Sequence, residues 1–449
     1  MPKLFGTDGI RGEANQYPMD GPSAFSVGQA LACVLRDQAP RPRVVIGRDT
    51  RISGPMLESA LSAGLMSMGA DPLLVGVLPT PGIAFMTQPL HADAGIVISA
   101  SHNPFQDNGI KVFSRHGFKL SDSDEETIER LLLDKDLKRK GPSAANLGRA
   151  VLHGEAGKHY SRFLKSTFPG DLSMKGMTLV LDTANGATHA VAPDVFRELG
   201  ATVYVIHDHP DGININARCG SQHTQDLEGE VLAKGANLGL AFDGDGDRLI
   251  AVDERGKKLT GDQILLICAK VMKDRGSLKN DLLVTTVMSN LGLRMACKKY
   301  GFRHHASKVG DRYVLEEMRR LGGILGGEDS GHMIFLDHHT TGDGILAALQ
   351  LIGAMIRTQK PLSELARWMD LYPQKLLNVS VQSKPEISTV PELAAVIAHA
   401  EKELGEQGRV LVRYSGTENL CRVMVEGPNE EVTLKHCTRI ADSVKNLLG

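Results

Sequence analysis

Three aspartates separated by single glycines stand directly after an apolar run, in residues 241–248 (AFDGDGDR). Asp243, Asp245 and Asp247 would repel one another in a partly buried loop unless a cation neutralised them. Carboxylate oxygens are ligands that Mg²⁺ prefers, and the glycines allow a short turn to aim all three side chains at one point. The segment therefore predicts a magnesium site that keeps coordination positions free for a phosphate, with a solvated acidic turn as the alternative.

A second candidate is a serine at the end of another apolar run, in residues 96–104 (IVISASHNP). The β-branched residues predict a strand that is buried on both faces, and Pro104 prevents a helix from starting at once. Ser101 would then lie just past the carboxyl end of a strand, where α/β folds present their chemistry. The alternative is an ordinary serine-rich turn with a capping role.

A glycine-flanked loop at residues 327–332 (GEDSGH) offers groups for sugar binding and proton transfer. Glu328 and Ser330 could hold sugar hydroxyls. The ordinary pKa of a histidine would suit His332 to proton transfer near neutral pH.

Isolated cations stand in three other segments. Arg11 lies among three glycines in the N-terminal loop GTDGIRG, a composition that favours a tight loop in which an arginine can approach an anion. Lys111 is the single lysine among apolar neighbours of a predicted hairpin strand, so it either snorkels or takes part in chemistry. Lys308 and Arg312 add two cations in one predicted loop.

A phosphate cradle is predicted where residues 413–419 (RYSGTEN) join two strands near the C-terminus. Hydroxyls, backbone N–H groups and planar guanidinium groups together suit a phosphate. A plain hairpin turn is the alternative. The predicted ligands are Arg413, Ser415, Gly416, Thr417 and Arg422.

Strands that alternate with helices must position these loops. The pattern predicts three similar α/β domains with mixed, mostly parallel sheets, and a smaller C-terminal α+β domain, around a central cleft. We expect a phosphoserine-bearing domain at residues 1–152, a metal-binding domain at 153–253, a sugar-recognition domain at 254–366 and a phosphate-binding domain at 367–449. A charged helix is predicted over residues 121–140.

The composition limits the kinds of partner that we expect the chain to bind. With 51 Lys+Arg against 53 Asp+Glu, no global field would hold nucleic acid or an anionic membrane surface. The six cysteines form no Cys-x-x-Cys pair, and the apolar runs are too short for a signal peptide or a membrane span. We expect a cytoplasmic protein that binds small molecules, and a second copy of the chain is the one macromolecular partner that we consider.

Taken together, four loops in this order resemble those of the α-D-phosphohexomutase family, and the resemblance extends over essentially the whole chain. They are the phosphoserine loop at 99–104, the metal loop at 243–248, the sugar loop at 327–332 and the phosphate loop at 413–419. Three further segments are similar to the amino-sugar branch of the family: residues 6–12, 211–216 (DGININ) and 309–313 (VGDRY).

The resemblance implies interconversion of glucosamine 6-phosphate and glucosamine 1-phosphate through a 1,6-bisphosphate, for the synthesis of UDP-N-acetylglucosamine. Ser101 would carry the phosphoryl group and bind Mg²⁺ through a phosphate oxygen, beside the three aspartates. Lys111 would act as a general base or electrostatic partner and His332 as a second proton-transfer group, while Arg11 and Arg248 stabilise charge at the reacting phosphate. The implied substrate-binding residues are Glu328, Ser330, Lys308, Arg312, Arg413, Ser415, Gly416, Thr417 and Arg422.

Three other functions compete with this interpretation. A phosphomannomutase/phosphoglucomutase would use the same groups on another sugar. A non-catalytic sugar-phosphate sensor would keep Arg413 and Ser415 but could lose Ser101 or an aspartate, and all of these are present. A metal-dependent phosphatase would release inorganic phosphate without isomerisation.

Overall fold

The computed structural model describes residues 4–6, 8–133, 141–415 and 419–449. The predicted ligands Gly416 and Thr417 lie outside this part. The chain divides into two compact units, Met1–Val287 with Arg303–Ala366, and Met288–Phe302 with Arg367–Gly449. None of the helices in the described ranges is long and apolar enough to cross a membrane.

The larger unit begins with a six-stranded mixed sheet. Its elements are β1 (Ile10–Glu13), α1 (Gly21–Arg36), β2 (Arg43–Arg48), α2 (Gly54–Ser67), β3 (Asp71–Val77), α3 (Thr80–Met86), β4 (Ala94–Ile98), β5 (Asp107–Ser114), α4 (Asp122–Leu132) and β6 (Val151–Leu152). The strand order is β1-β5-β4-β2-β3-β6. Strands β2 and β4 are parallel neighbours, so the loops that follow them leave the same edge of the sheet.

Local sequence explains the ends of these helices. Asp20 caps α1 by accepting the N–H of Ser23 at 2.8 Å, and Pro22 stands in the first turn, where a missing N–H costs nothing. Ser121 likewise caps α4, whose first turn carries three acidic residues. The predicted charged helix ends at Leu132 in the described part, while residues 134–140 lie outside it.

A five-stranded sheet follows, in the order β11-β10-β9-β7-β8. Its elements are α5 (Ala156–Thr167), β7 (Thr178–Asp182), α6 (Val191–Glu198), β8 (Thr202–Ile206), α7 (Gln225–Lys234), β9 (Leu238–Phe242), β10 (Leu249–Asp253) and β11 (Lys258–Leu259). Strand β7 is parallel to β8 and β9, and β9 and β10 form an antiparallel hairpin. The three-aspartate segment is the loop of that hairpin.

The third region carries a four-stranded sheet in the order β13-β12-β14-β15. Its elements are α8 (Gly261–Asp274), β12 (Leu282–Thr286), α9 (Leu291–Tyr300), β13 (Arg303–Ser307), α10 (Asp311–Leu321), β14 (Leu325–Gly327), β15 (Met333–Phe335), α11 (Gly344–Thr358) and α12 (Leu362–Leu365). The antiparallel pair β14 and β15 encloses the loop that carries Glu328 and His332.

The smaller unit is an antiparallel sheet covered by helices. It contains β16 (Gln374–Ser380), α13 (Pro391–Leu404), β17 (Arg409–Tyr414), β18 (Leu420–Glu426) and α14 (Glu430–Leu448), with strand order β16-β18-β17. Apolar residues of β18 pack with those of α13 and α14 in one core. Helix α9 lies between β12 and β13 in the chain but belongs to this smaller unit, in which the carboxylate of Glu426 accepts the N–H of Leu291 at 3.2 Å.

The sheets confirm the predicted fold class of three mixed, mostly parallel α/β sheets and a smaller α+β part. The three sheets have six, five and four strands, so the similarity among them is one of plan rather than of strand number.

Candidate functional site

The Ser101 hydroxyl lies against the aspartate loop. It donates to Oδ2 of Asp243 at 2.6 Å, and both side chains are buried. Ser101 lies past the carboxyl end of β4, and Asp243 directly follows the carboxyl end of β9 in a different sheet. These two strand ends therefore bring the residues together. Gly244 allows this close approach, because a Cβ there would lie 2.7 Å from the carbonyl oxygen of Ser101.

The three aspartates fit a hard divalent cation. One oxygen from each of Asp243, Asp245 and Asp247 lies within 4.8 Å of the others, and all three residues are buried. Oδ1 of Asp245 and Oδ1 of Asp247 have no hydrogen-bond partner among the described residues. Burial, followed by the charges of Asp247 and Asp245, raises the pKa of Asp243 well above its ordinary value. Oxygen ligands and uncompensated negative charge suit Mg²⁺.

The serine loop is held in a strained backbone conformation. Ser101 has φ +53°, in the left-handed region that costs most residues about 1 kcal/mol or more. Its carbonyl oxygen accepts a hydrogen bond from Arg51 at 3.0 Å and another from Asn216 at 2.9 Å. Its N–H donates to the hydroxyl of Ser99 at 2.9 Å. These contacts stabilise the conformation that turns the hydroxyl toward the aspartates.

Arg51 is a positioning residue that the sequence pattern did not identify. Its guanidinium is fully buried and also donates to the carbonyl oxygens of Asn103 and Asp107, at 2.9 and 3.0 Å, and of Pro104. It also pairs with Asp49 at 2.9 Å. The Asp49–Arg51 segment follows β2, the parallel neighbour of β4, and this adjacency places it under the serine loop.

Lys111 lies in a closed group of charges. Its ammonium is 3.0 Å from Asp245, 3.2 Å from Asp8 and 3.8 Å from Asp247. Burial lowers the pKa of Lys111, but the three carboxylates outweigh burial and raise the pKa above its ordinary value. The side chain is therefore held as a cation in this arrangement.

His332 faces Asp247, one of the carboxylates around Lys111. Its Nδ1 is 3.5 Å from Asp247, and its Nε2 is 3.5 Å from Asp311. Burial lowers the pKa of His332, and the two carboxylates raise it further than burial lowers it. The N–H of Gly342 points at Nε2 from 3.2 Å and favours the neutral ring. His332 thus has neighbours that stabilise each of its protonation states.

The two predicted arginines lie at this site as well. Arg11 donates to the carbonyl oxygen of Ala100 at 2.9 Å, beside Ser101, and pairs with Asp8. The backbone N–H of Arg248 donates to Oδ1 of Asp243 at 3.2 Å, and its guanidinium is 3.8 Å from Asp247.

Three of the predicted sugar-binding residues differ in their surroundings. Glu328 accepts the N–H of Gly310 at 3.0 Å, and the buried hydroxyl of Ser330 has no hydrogen-bond partner among the described residues. Lys308 is exposed, with its ammonium 5.7 Å from the centre of the Tyr313 ring.

Arg312 departs from the loop that we expected. It lies in α10, which begins at Asp311, and its guanidinium is 2.7 Å from Asp122 and 3.0 Å from the carbonyl oxygen of Leu120. An N-terminal helical turn at Asp311 explains the difference, because it directs the side chain toward α4.

The predicted phosphate ligands of the smaller unit stand on one hairpin. Arg413 of β17 is directly opposite Arg422 of β18, so both side chains share a face of the sheet. Burial and the Arg422 charge lower the pKa of Arg413. The backbone N–H of Ser415 donates to the carbonyl oxygen of Leu420 at 2.8 Å. Paired like charges of this kind are stabilised by a bound anion.

Four family models match successive parts of the chain. They describe phosphoglucomutase/phosphomannomutase: alpha/beta/alpha domain I at residues 2–139, domain II at 152–256, domain III at 260–372 and the C-terminal domain at 376–443.

Similar proteins cover the full length. A protein of Syntrophobacter fumaroxidans called phosphoglucosamine mutase is 66% identical over 449 residues, with 100% of both chains covered. A solved structure of a phosphoglucomutase/phosphomannomutase family protein from Burkholderia thailandensis has a TM-score of 0.81 at 24% identity and covers 99% of this chain and 97% of its own.

A second solved structure is that of Aspergillus fumigatus N-acetylphosphoglucosamine mutase in complex with GlcNAc-6P and magnesium. It has a TM-score of 0.68 at 15% identity and covers 99% of this chain and 95% of its own. The four matched models and the 66% identical relative place this chain in the phosphoglucomutase/phosphomannomutase family.

Proposed function

We propose that the chain interconverts glucosamine 6-phosphate and glucosamine 1-phosphate, with Ser101 as the phosphoryl carrier and a 1,6-bisphosphate as the intermediate. The observation that carries the proposal is the buried Ser101 hydroxyl, which lies 2.6 Å from Asp243. Asp245 and Asp247 of the same aspartate loop each have one oxygen without a hydrogen-bond partner among the described residues. The amino-sugar substrate rests on the similarity to the Syntrophobacter fumaroxidans protein called phosphoglucosamine mutase.

Ser101 suits the carrier role because a phosphoserine is stable until an acceptor hydroxyl is aligned with it. The strained loop fixes the direction of the hydroxyl, so little ordering is left for the transfer step. Asp243, Asp245 and Asp247 would hold Mg²⁺, and the bound cation would supply positive charge that stabilises the transferring phosphoryl group.

The surrounding cations would stabilise charge on the reacting phosphate. Arg11 contacts the serine loop and Arg248 contacts Asp243 of the aspartate loop, and preorganised cations in a buried site act strongly. Lys111 is held as an ammonium by its carboxylate neighbours, which favours the electrostatic role over that of a general base.

His332 is our candidate for proton transfer. A proton taken from the attacking sugar hydroxyl would form an imidazolium whose two nitrogens each lie 3.5 Å from a carboxylate, of Asp247 and Asp311. Glu328 and Ser330 would hold hydroxyls of the sugar, with Lys308 close to the same segment.

Arg413, Ser415, Gly416, Thr417 and Arg422 would bind the phosphate that is not reacting. The contacts with this phosphate must break between the two phosphoryl transfers, because the bisphosphate has to turn and place its other phosphate at Ser101. We assign Arg312 to anchoring α10 against α4, given its contacts with Asp122 and Leu120.

A substrate panel tests the proposal. Glucosamine 6-phosphate, mannose 6-phosphate and glucose 6-phosphate are compared in coupled assays at equal concentration, with Mg²⁺ and a hexose 1,6-bisphosphate present. We expect the highest kcat/KM for glucosamine 6-phosphate. A preference for mannose or glucose phosphate would move the chain to the other branch, and release of inorganic phosphate without isomerisation would indicate a phosphatase.

The Ser101→Ala variant tests the carrier in the same assay. We expect turnover to fall by more than about 10³-fold, since a covalent route without its nucleophile loses most of its rate. Ser59→Ala, which removes an exposed hydroxyl of α2, is the matched control and should retain activity. Near-normal activity of the Ser101→Ala variant would end the carrier assignment.

A further inference from the structure

A second cluster of potential metal ligands lies outside the aspartate loop. Asp182 ends β7, His207 directly follows β8 and Cys219 precedes a short 3-10 turn. One ligand atom from each of the three residues lies within 4.8 Å of the other two. Strands β7 and β8 are parallel neighbours, with Asp182 opposite Ile206, and this register brings the first two ligands together.

The histidine ring is oriented as a metal ligand would be. Nδ1 of His207 faces into the cluster, 3.1 Å from Oδ2 of Asp182. The opposite ring nitrogen, Nε2, is 3.2 Å from Asp226. A carboxylate on the far nitrogen is the usual support of a metal-bound histidine, since it fixes the ring and its tautomer.

The other two ligands are fixed in place. Asp182 accepts the N–H of Ala184 at 2.9 Å and that of Gly220 at 2.8 Å, and each carboxylate oxygen keeps a lone pair. Cys219 is 1% exposed, so the protein surrounds its sulfur. One sulfur, one nitrogen and one oxygen make a softer ligand set than three carboxylates, and such a set prefers Zn²⁺ to Mg²⁺.

We propose that Asp182, His207 and Cys219 bind a thiophilic divalent cation of the Zn²⁺ class, in a site separate from that of the three aspartates. Water would complete four-coordination from the side on which His207 is 25% exposed. The cation requires deprotonated Cys219, so binding releases a proton to the solvent.

This cation would fix a segment that supports the serine loop. The N–H of Asn216 donates to the carbonyl oxygen of Ala184 at 2.9 Å, and its side-chain amide donates to the carbonyl oxygens of Ser101 and Asn103 at 2.9 and 3.0 Å. Asn216 lies three positions before Cys219 in the chain. A metal at Cys219 would therefore stabilise the serine loop through Asn216, without contact with substrate.

Cobalt titration tests the site without any measurement of activity. Metal-free full-length protein is titrated with Co²⁺, and the thiolate-to-cobalt charge-transfer band is followed in the near ultraviolet. Because the aspartate loop offers only oxygen ligands, Co²⁺ bound there gives no such band. We expect the band in the parent protein, its loss in Cys219→Ser, and its retention in Cys268→Ser, which alters a buried thiol of α8.

The Asp226→Asn variant supplies a second measurement, since Asp226 is 66% exposed and its substitution should not prevent folding. Loss of this support should weaken Co²⁺ binding by about 10-fold or more, with the band retained. Displacement of Co²⁺ by Zn²⁺ should remove the band. The proposal is overturned if the parent protein gives no band at saturating Co²⁺, if Cys219→Ser keeps it, or if Asp226→Asn binds with unchanged affinity.

Discussion

The hydroxyl of Ser101 and the carboxylate of Asp243 are 2.6 Å apart, although 142 positions separate them in the chain. Ser101 lies in the loop that follows β4 of the six-stranded sheet, and Asp243 directly follows β9 of the five-stranded sheet. Each loop has its own support, so the two arrive in fixed orientations. The relationship joins the proposed phosphoryl carrier to the proposed cation site and underlies each prediction about catalysis.

Removal of divalent cations should abolish activity, and Mg²⁺ should restore it. Three buried carboxylates without a cation repel one another, so Mg²⁺ should also raise the Tm by mass action. Asp245→Asn should raise the Mg²⁺ concentration needed for half-maximal activity by about 10-fold or more. The measurements are activity after EDTA treatment and a Tm series against Mg²⁺.

Asp253→Asn is the matched control for the magnesium experiment. This buried carboxylate ends β10 and accepts the N–H groups of Arg255 and Lys257, at 2.9 and 2.8 Å, away from the aspartate loop. Its Mg²⁺ dependence should equal that of the parent protein. Full activity in EDTA would contradict the metal assignment.

Arg51→Met should destabilise the protein and disorder the serine loop. The substitution leaves Asp49 buried without its partner and removes donors from four loop carbonyls, so the free energy of unfolding should fall by about 3–5 kcal/mol. Urea unfolding measures this change. Arg41→Met, which removes an exposed ion pair with Asp71, should leave the unfolding midpoint nearly unchanged. Equal effects of the two substitutions would refute the role of Arg51.

His339 should make stability depend on pH. Burial lowers the pKa of this histidine to about 4, from an ordinary 6.5. The neutral ring is well matched, with Nε2 2.8 Å from the carbonyl oxygen of Pro81 and Nδ1 accepting the N–H of Thr340 at 2.8 Å. Above pH 6.5 the ring is neutral in both folded and unfolded chains, so its contribution is fully present.

As the pH falls from 6.5 to about 4, the unfolded chain binds the proton first. Stability should therefore decrease over this interval by about 3 kcal/mol from His339. Urea unfolding at several pH values, compared with His339→Gln, isolates this contribution from that of other groups. Parallel pH profiles for the two proteins would contradict the prediction.

The sequence predicted those parts of the site that depend on local pattern. The β-branched run before Ser101 indicated a buried strand, and β4 is buried at every position. The alternation of aspartate with glycine indicated convergent carboxylates, and the three are indeed grouped. Both signals lie within a few residues, where periodicity and turn chemistry are decisive.

Contacts between distant segments could not be predicted in this way. In the sequence Arg51 is not distinguished from other arginines in loops. Only the pairing of β2 with β4 places it under the serine loop. Arg312 was expected to serve a loop, whereas tertiary packing directs it to Asp122 of α4. The carboxylates around Lys111 likewise come from separate segments. A single sequence carries no local signal for such partners.

The carrier role of Ser101 is tested by an intact-mass measurement of the protein after incubation with a hexose 1,6-bisphosphate and Mg²⁺, followed by peptide mapping. We expect a mass increase of one phosphoryl group, located at Ser101, which glucosamine 6-phosphate discharges. We expect no increase in the Ser101→Ala variant. Turnover without any phosphorylated enzyme, or a phosphoryl group on another residue, would show that Ser101 is not the carrier.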